Sequence, residues 1–580
     1  MHLQGSSWRN REIRQHVRVI DGIEQPTLIL TNATYLNVFT KEWLQANIWI
    51  YKDRVVYVGE NLPIRTDGTQ IYDCKGKYIV PGYVEPHSHP FLIANPEVLA
   101  SHAARFGTTA LINDNLMWHF LLDKKKAFSL IEEFHRHPVS MYWWARYDSQ
   151  TALADEEQFF NSEDVLEWIE HPSVVQGGEL TGWPSLLEGN DRLLYWIQET
   201  KRQRKPVEGH LPGASEKTLT KLKLLGISAD HEPITGEEVM RRLRLGYHVS
   251  LRYSSIRPDL PQLVEDLLAQ KVKNFDHLSF TTDGATPHFL EKGMINQCIA
   301  IAIQKGVPLE DAYCMGSLNA ARHFHLDEHL GSIAPGRIAH INILDEKDNP
   351  NPASVIAKGE WVKKEGENQE ISFTIDWEKY GIKPIPFDWE LKEDDLQFSM
   401  PIGLDMVNNV IVKPYTCDLD VTAEHLSNEN KEAYLVLMDR KGKWRVNTTI
   451  RGFTKELGAI ASSFSSSGDI IFIGKSKKDM LLAWKRLKEI GGGIVLVHRG
   501  DILLEIPLEL GGIMSKSSMS EVIAKEKQLI ASLQKFGYPY GDPIYTLLFL
   551  SATHLPYIRI TQQGIIDIMK KEILFPATMC

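Results

Sequence analysis

Between residues 81 and 330 short apolar runs alternate with amphipathic stretches. The runs are YIVPGYVEPHSH, TTALIND, VSMYWWARY, SVVQGGEL, KPVEGHLPG, GISADHE, YHVSLRYSS and HLSFTTDG, eight in all. Between them, SEDVLEWIEH, RLLYWIQETKRQR, GEEVMRRLRLG and PQLVEDLLAQKV repeat apolar residues at the 3.6 spacing of a helix. Strand and helix alternating eight times predict a (β/α)8 TIM barrel over 81–330. A doubly wound sheet also alternates, but no G-x-G-x-x-G follows the first strand.

The flanks have a different texture. TLILTNATYLNV, ANIWIYKDRVVYVGE and QIYDCKGKYIV read as short strands divided by turns, and a similar piece returns after the barrel as SIAPGRIAHINILDE and VIAKGEWVKKEG. Residues 27–80 and 331–375 are therefore expected to pair into one small β-sandwich domain, with 1–26 as an N-terminal extension. From 380 to 580 strands such as AYLVLMDRKGKWRV mix with the helical KKDMLLAWKRLKEIG and MSEVIAKEKQLIASLQKFG, predicting an α+β C-terminal domain. The fold class is α/β.

Composition narrows the function. A chain of 580 residues exceeds one hydrophobic core, and 43% apolar with 24% charged residues is ordinary for a globular protein. A net charge of −11 offers no basic face for nucleic acid. DKKKAF (123–128) and KRQRK (201–205) read as solvated helix faces. No apolar run has the length of a membrane span, and the start lacks the apolar segment of a signal peptide. Cys74, Cys298, Cys314, Cys417 and Cys580 are scattered and never in C-x-x-C spacing, which argues for a reducing compartment and against a thiolate zinc site. The expectation is a cytoplasmic enzyme for a small molecule, working as a homo-oligomer (a dimer), with neither nucleic acid nor membrane as partner.

Barrel enzymes carry their chemistry at the C-terminal ends of the strands. There the sequence places His87 and His89 of strand one, Glu179 of strand four, His210 of strand five, His231 of strand six and Asp283 of strand eight. Each alone has a plain structural use: an imidazole on a backbone carbonyl, a strand-end charge, an Asp-Gly turn. Four imidazoles and two carboxylates at one mouth instead suit a divalent metal, one or two ions of Mn, Fe or Zn. His102 and His119 on helices, and His248 and His277 within or before strands, are expected to be structural or at the surface. RHFHLDEH at 322–329 follows the last barrel helix and is not expected to bind metal.

PGYVEPHSHP resembles the P-G-hydrophobic-hydrophobic-D-x-H-x-H signature of the metal-dependent amidohydrolase superfamily, with Glu85 where Asp is usual. GSIAPGRIAHINILD resembles the return into the β domain, with His340 in place of an acid. EGHLPGASEKTLTKLKLLGISADHEPITGEEVMRRLRLG, EKGMINQCIAIAIQKGVPLEDAYCMGSLNAA and GGGIVLVHRGDILLEIPLELGGIMS resemble the adenine deaminase family within it. The resemblance implies His87 and His89 on one metal, His210 and His231 on a second, Glu179 as the bridging carboxylate, and Asp283 on metal and water. It also implies hydrolytic deamination of adenine by a metal-activated water, with Asp283 as general base. Glu232, beside His231, is a candidate proton donor to a ring nitrogen; its structural use would be that of a helix-cap neighbour on an exposed loop. The chain departs from the family in NDNLMWHF (113–120), after Asp283, and at SSFSSSGD (462–469). A hydrolase of another aminated heterocycle, or of an N-acyl or cyclic amide, is the alternative, followed by a catalytically silent binding protein.

Overall fold

The computed structural model describes residues 10–420 and 422–580; residues 1–9 of the expected N-terminal extension lie outside the described residues. Eight parallel strands follow the eight apolar runs: β1 (Tyr83–Ser88), β2 (Thr108–Asn113), β3 (Ser140–Ala145), β4 (Val174–Leu180), β5 (Val207–Gly209), β6 (Ala229–Asp230), β7 (His248–Arg252) and β8 (Leu278–Thr281). They hydrogen-bond in chain order, β1 to β8. Every residue of all eight is buried, which is why they read as continuous apolar runs rather than as an alternation.

Glu85 joins the two ends of the sheet. Its carboxylate, on β1, accepts hydrogen bonds from Thr281 Oγ1 (2.7 Å), Thr282 N (2.9 Å) and Thr282 Oγ1 (2.7 Å) at the end of β8. It also accepts from His87 N at 3.0 Å, so the residue that closes the seam also holds the first histidine.

A nine-stranded sheet collects strands from both sides of the barrel. Ile341–Leu344 runs antiparallel to Tyr78–Pro81, so the chain leaves this sheet at Pro81, builds the barrel, and re-enters it. Asn10–Ile20 of the N-terminal extension is a helix whose Val19 packs on Ile29, Trp49 and Val56 of that sheet.

Beyond residue 400 a second nine-stranded sheet is joined by two long helices, Lys477–Ile490 and Met519–Lys535, and by a three-stranded sheet at Ile558–Pro576. Ser518 and Glu521 form a reciprocal capping box that starts the second helix. This C-terminal unit reaches the barrel mouth. Thr151 Oγ1 donates to Ser551 O at 2.6 Å, Thr553 N to Gln150 O at 2.9 Å, and Gln563 Nε2 to Leu153 O at 2.9 Å.

One expectation is corrected here. KRQRK is not wholly a solvated face, because Lys205 is buried and its Nζ donates to the carbonyls of Ile169 and His171. The helix ends at Arg202, and the turn into β5 carries Lys205 inward, where burial pushes its pKa down to about 7. In RHFHLDEH, His323 is packed in the interior, its ring stacked on that of His248 at 4.3 Å.

Candidate metal centre

All six strand-end residues converge on the barrel mouth. Their ligand atoms fall into three groups, each within 4.8 Å: His87, His89 and Glu179; His87, His231 and Asp283; Glu179, His210 and His231. The two oxygens of Glu179 face opposite ways. Oε1 is 2.7 Å from His210 Nδ1 and 3.4 Å from His231 Nε2, while Oε2 is 3.9 Å from His89 Nε2. Asp283 Oδ1 lies 3.2 Å from His89 Nε2 and 3.4 Å from His87 Nε2. A carboxylate with one oxygen on each side of the cluster has the disposition of a bridge between two sites.

The donor set fits a divalent cation. His87 Nε2 and His231 Nε2 are buried and have no hydrogen-bond partner among the described residues. Orphaned buried nitrogens are costly, and bound metal would satisfy these lone pairs.

Other side chains aim the ligands. His89 Nδ1 meets Asp114 Oδ2 at 2.8 Å, and His231 Nδ1 meets Glu208 Oε1 at 3.0 Å, which turns each Nε2 toward the cluster. Arg146, wholly buried, donates to Asp114 through Nε (2.9 Å) and Nη2 (2.6 Å) and lies 3.1 Å from Glu179 Oε2. Gln150 Nε2 donates to Glu179 Oε2 at 2.9 Å. Arg252, ending β7, places Nη1 2.6 Å from Asp283 Oδ2 and 2.5 Å from Glu232 Oε1. Sequence reasoning missed Arg146, Glu208 and Arg252. A signal for the arginines was present, since both stand at a strand's C-terminal end like the ligands themselves.

Glu232 is not on an exposed loop. It is buried, 3.4 Å from His231 Nε2 and 3.5 Å from His210 Nδ1, and is held by Arg252 and Arg257. Asp283 serves both of its readings. Its φ of 38° and the 64° of Gly284 make a left-handed turn, and the turn delivers the carboxylate. A Cβ on Gly284 would sit 2.8 Å from Tyr545 Oη and 3.0 Å from His89 Cδ2, so only glycine fits there.

Burial alone would raise the carboxyl pKa values and lower the imidazole ones. For Glu179, Arg146 and the histidines overcome burial and hold the carboxyl well below the usual range; Arg252 and His231 do the same for Asp283. Against burial, Asp114 and Asp283 raise His89 to about 9, and Asp283 and Glu179 raise His231 well above its ordinary value. His87 goes the other way, down to about 4, through burial and the neighbouring His231.

The cluster floors a cavity of about 410 Å³. The barrel's strand ends and loops supply His89, Gln150, His210, Glu232, Arg252 and Arg257; the C-terminal unit supplies Phe464, Ser466, Tyr545, Leu548, Phe549 and His554. The divergent SSFSSSGD stretch thus forms part of the wall. Tyr545 Oη donates to Gly284 O, tying that wall to the turn after Asp283.

The amidohydrolase family pattern matches residues 78–362, and the adenine deaminase C-terminal domain matches 409–572. A protein of Oceanobacillus iheyensis named "Putative adenine deaminase" is 64% identical, covering 99% of this chain and 99% of its own. The chain belongs to the adenine deaminase family of amidohydrolases. This family member is also 52% identical to a "Putative adenine deaminase" of Bacillus cereus, over 98% of this chain and 97% of the relative. It is 27% identical to an "Adenine deaminase" of Kosmotoga olearia, over 96% of this chain and 98% of the relative. It is a hydrolase of C–N bonds by family, and its barrel is the amidohydrolase barrel.

Proposed function

We propose that the protein converts adenine and water to hypoxanthine and ammonia. The observation that carries this reading is the six-residue cluster, whose three overlapping groups include two that share Glu179, at the floor of a cavity with aromatic walls. His87 and His89 would hold one divalent ion and His210 and His231 a second, with Glu179 between them and Asp283 beside the first. Such ions lower the pKa of a water toward neutrality and so supply a nucleophile at pH 7. The water oxygen bonds to the ring carbon bearing the amino group. Glu232, held ionised against its burial by His210 and Arg252, first accepts a proton of the water and then gives it to the adjacent ring nitrogen. Asp283 accepts the second proton and delivers it to the amino nitrogen, whose bond to carbon breaks as ammonia leaves. Arg252 bonds both carboxylates and keeps them apart for these two transfers.

We assign the metal to Mn, Fe or Zn, the working form to a homodimer, the compartment to the cytoplasm and the role to purine salvage. Among the described residues no helix is long and apolar enough to cross a membrane. The deciding experiment measures ammonia from adenine with Mn- or Zn-loaded protein. No release above a His231→Ala control overturns the reading. A different aminated heterocycle, or a cyclic amide, is the second reading, favoured by the wall: 462–469 contributes only Phe464 and Ser466 to the cavity. Ammonia or acid release from purines, pterins and N-acyl compounds separates the two.

A further inference from the structure

His554 stands in the cavity without a task in the metal cluster. It belongs to none of the three ligand groups. Its ring lies edge-on to His210 at 5.1 Å between centroids and edge-on to Phe549 at 5.5 Å. Nδ1 is buried without a hydrogen-bond partner among the described residues, and the residue lines the cavity. A buried ring nitrogen left unpaired costs free energy that a bound ligand would relieve.

Its placement is built rather than incidental. The preceding residues are pinned to the loop after β3: Ser551 O accepts from Thr151 Oγ1 at 2.6 Å, and Thr553 N donates to Gln150 O at 2.9 Å. Gln150 in turn donates its amide to Glu179 Oε2 at 2.9 Å. The bridging carboxylate, the β3 loop and His554 are thereby linked in one hydrogen-bonded chain, with the imidazole over the His210 side of the cluster.

We propose that His554 is a substrate-contacting residue, supplied by the C-terminal unit, whose imidazole hydrogen-bonds a nitrogen of the bound heterocycle and sets its orientation over the cluster. The proposal rests on the deaminase reading above. It assigns the C-terminal unit a direct part in recognition: an aminated nitrogen heterocycle has ring donors and acceptors that an imidazole can meet.

The test compares wild type, His554→Ala, His554→Phe and His554→Gln, each loaded with Mn. The measurements are metal content, melting temperature, kcat and KM for ammonia release from adenine, and hypoxanthine affinity by calorimetry. Loss of one hydrogen bond to substrate predicts a fall in kcat/KM of about 10- to 100-fold for Ala and Phe, mainly through KM. Hypoxanthine affinity should weaken in parallel, metal content should not change, and Gln should restore part of the loss. Phe keeps the packing against Phe549, so a Phe variant as active as wild type overturns the proposal, as does a loss that follows metal content or melting temperature. Wild type that neither releases ammonia from adenine nor binds hypoxanthine overturns the deaminase reading and this proposal with it. Active wild type with unaffected variants overturns the proposal alone.

Discussion

The barrel rim and the C-terminal wall enclose the same cavity with opposite chemistry. The rim contributes carboxylates, imidazoles and guanidiniums in mutual contact, each buried charge answered by another. The wall contributes Phe464, Tyr545, Leu548 and Phe549, with His554 the imidazole among them. Buried carboxylates lie on both sides, yet the effect of burial differs. Glu179 and Asp283 on the rim stay ionised because cations surround them. Glu526, under the wall, accepts from His288 N at 2.7 Å and makes no ion pair with a cation among the described residues; burial and the nearby Asp542 push its pKa up to about 8. Counter-charge, not depth, separates a carboxylate held ionised from one that keeps its proton.

This contrast can be broken in order of size. His231→Ala removes a proposed ligand, so activity should fall by about 10⁴-fold with loss of bound metal by elemental analysis. Retained turnover would mean that the rim is not the reacting centre. Arg146→Met strips the counter-charge from Asp114 and Glu179, and unfolding free energy should drop by about 3–5 kcal/mol in denaturant titrations. A change within about 1 kcal/mol would show that the rim charges do not depend on one another.

Glu526 gives a pH signature. Its folded pKa lies above the unfolded value, so the native state keeps a proton that the unfolded chain releases. Its contribution to stability is therefore fully present below about pH 4.5 and declines as pH rises to about 8. Glu526→Gln should flatten this decline, by a few kcal/mol at most, and melting curves from pH 5 to 8.5 would show it; parallel curves for both proteins would refute the assignment. The smallest effect is expected for Tyr545→Phe, which removes one hydrogen bond between wall and turn. About 1 kcal/mol, or a several-fold fall in kcat/KM, is expected with metal content unchanged.

Much of the rim was legible in the sequence because the rule that positions it is local. A strand delivers its last residues to the mouth whatever the neighbours are, so His87, His89, Glu179, His210, His231 and Asp283 could be picked out by where each apolar run stops. Arg146 and Arg252 obey the same rule and were passed over because arginine is not a ligand; their value lies in the carboxylates they meet, which come from other strands. Glu85 was visible only as a substitution within a motif. Its work, joining β1 to β8, exists only when the first and last strands become neighbours.

By itself, then, the order of apolar runs determined the barrel, the strand ends supplied the candidate ligands, and the motifs such as PGYVEPHSHP carried the resemblance to the family. The tertiary structure decided which carboxylates are paired, that Lys205 is buried, and that a segment near the chain's end sets His554 beside His210. Strand-end placement follows from period and turn within a dozen residues, whereas a cavity wall depends on how distant segments dock, through contacts such as Thr151 with Ser551 that no local pattern encodes.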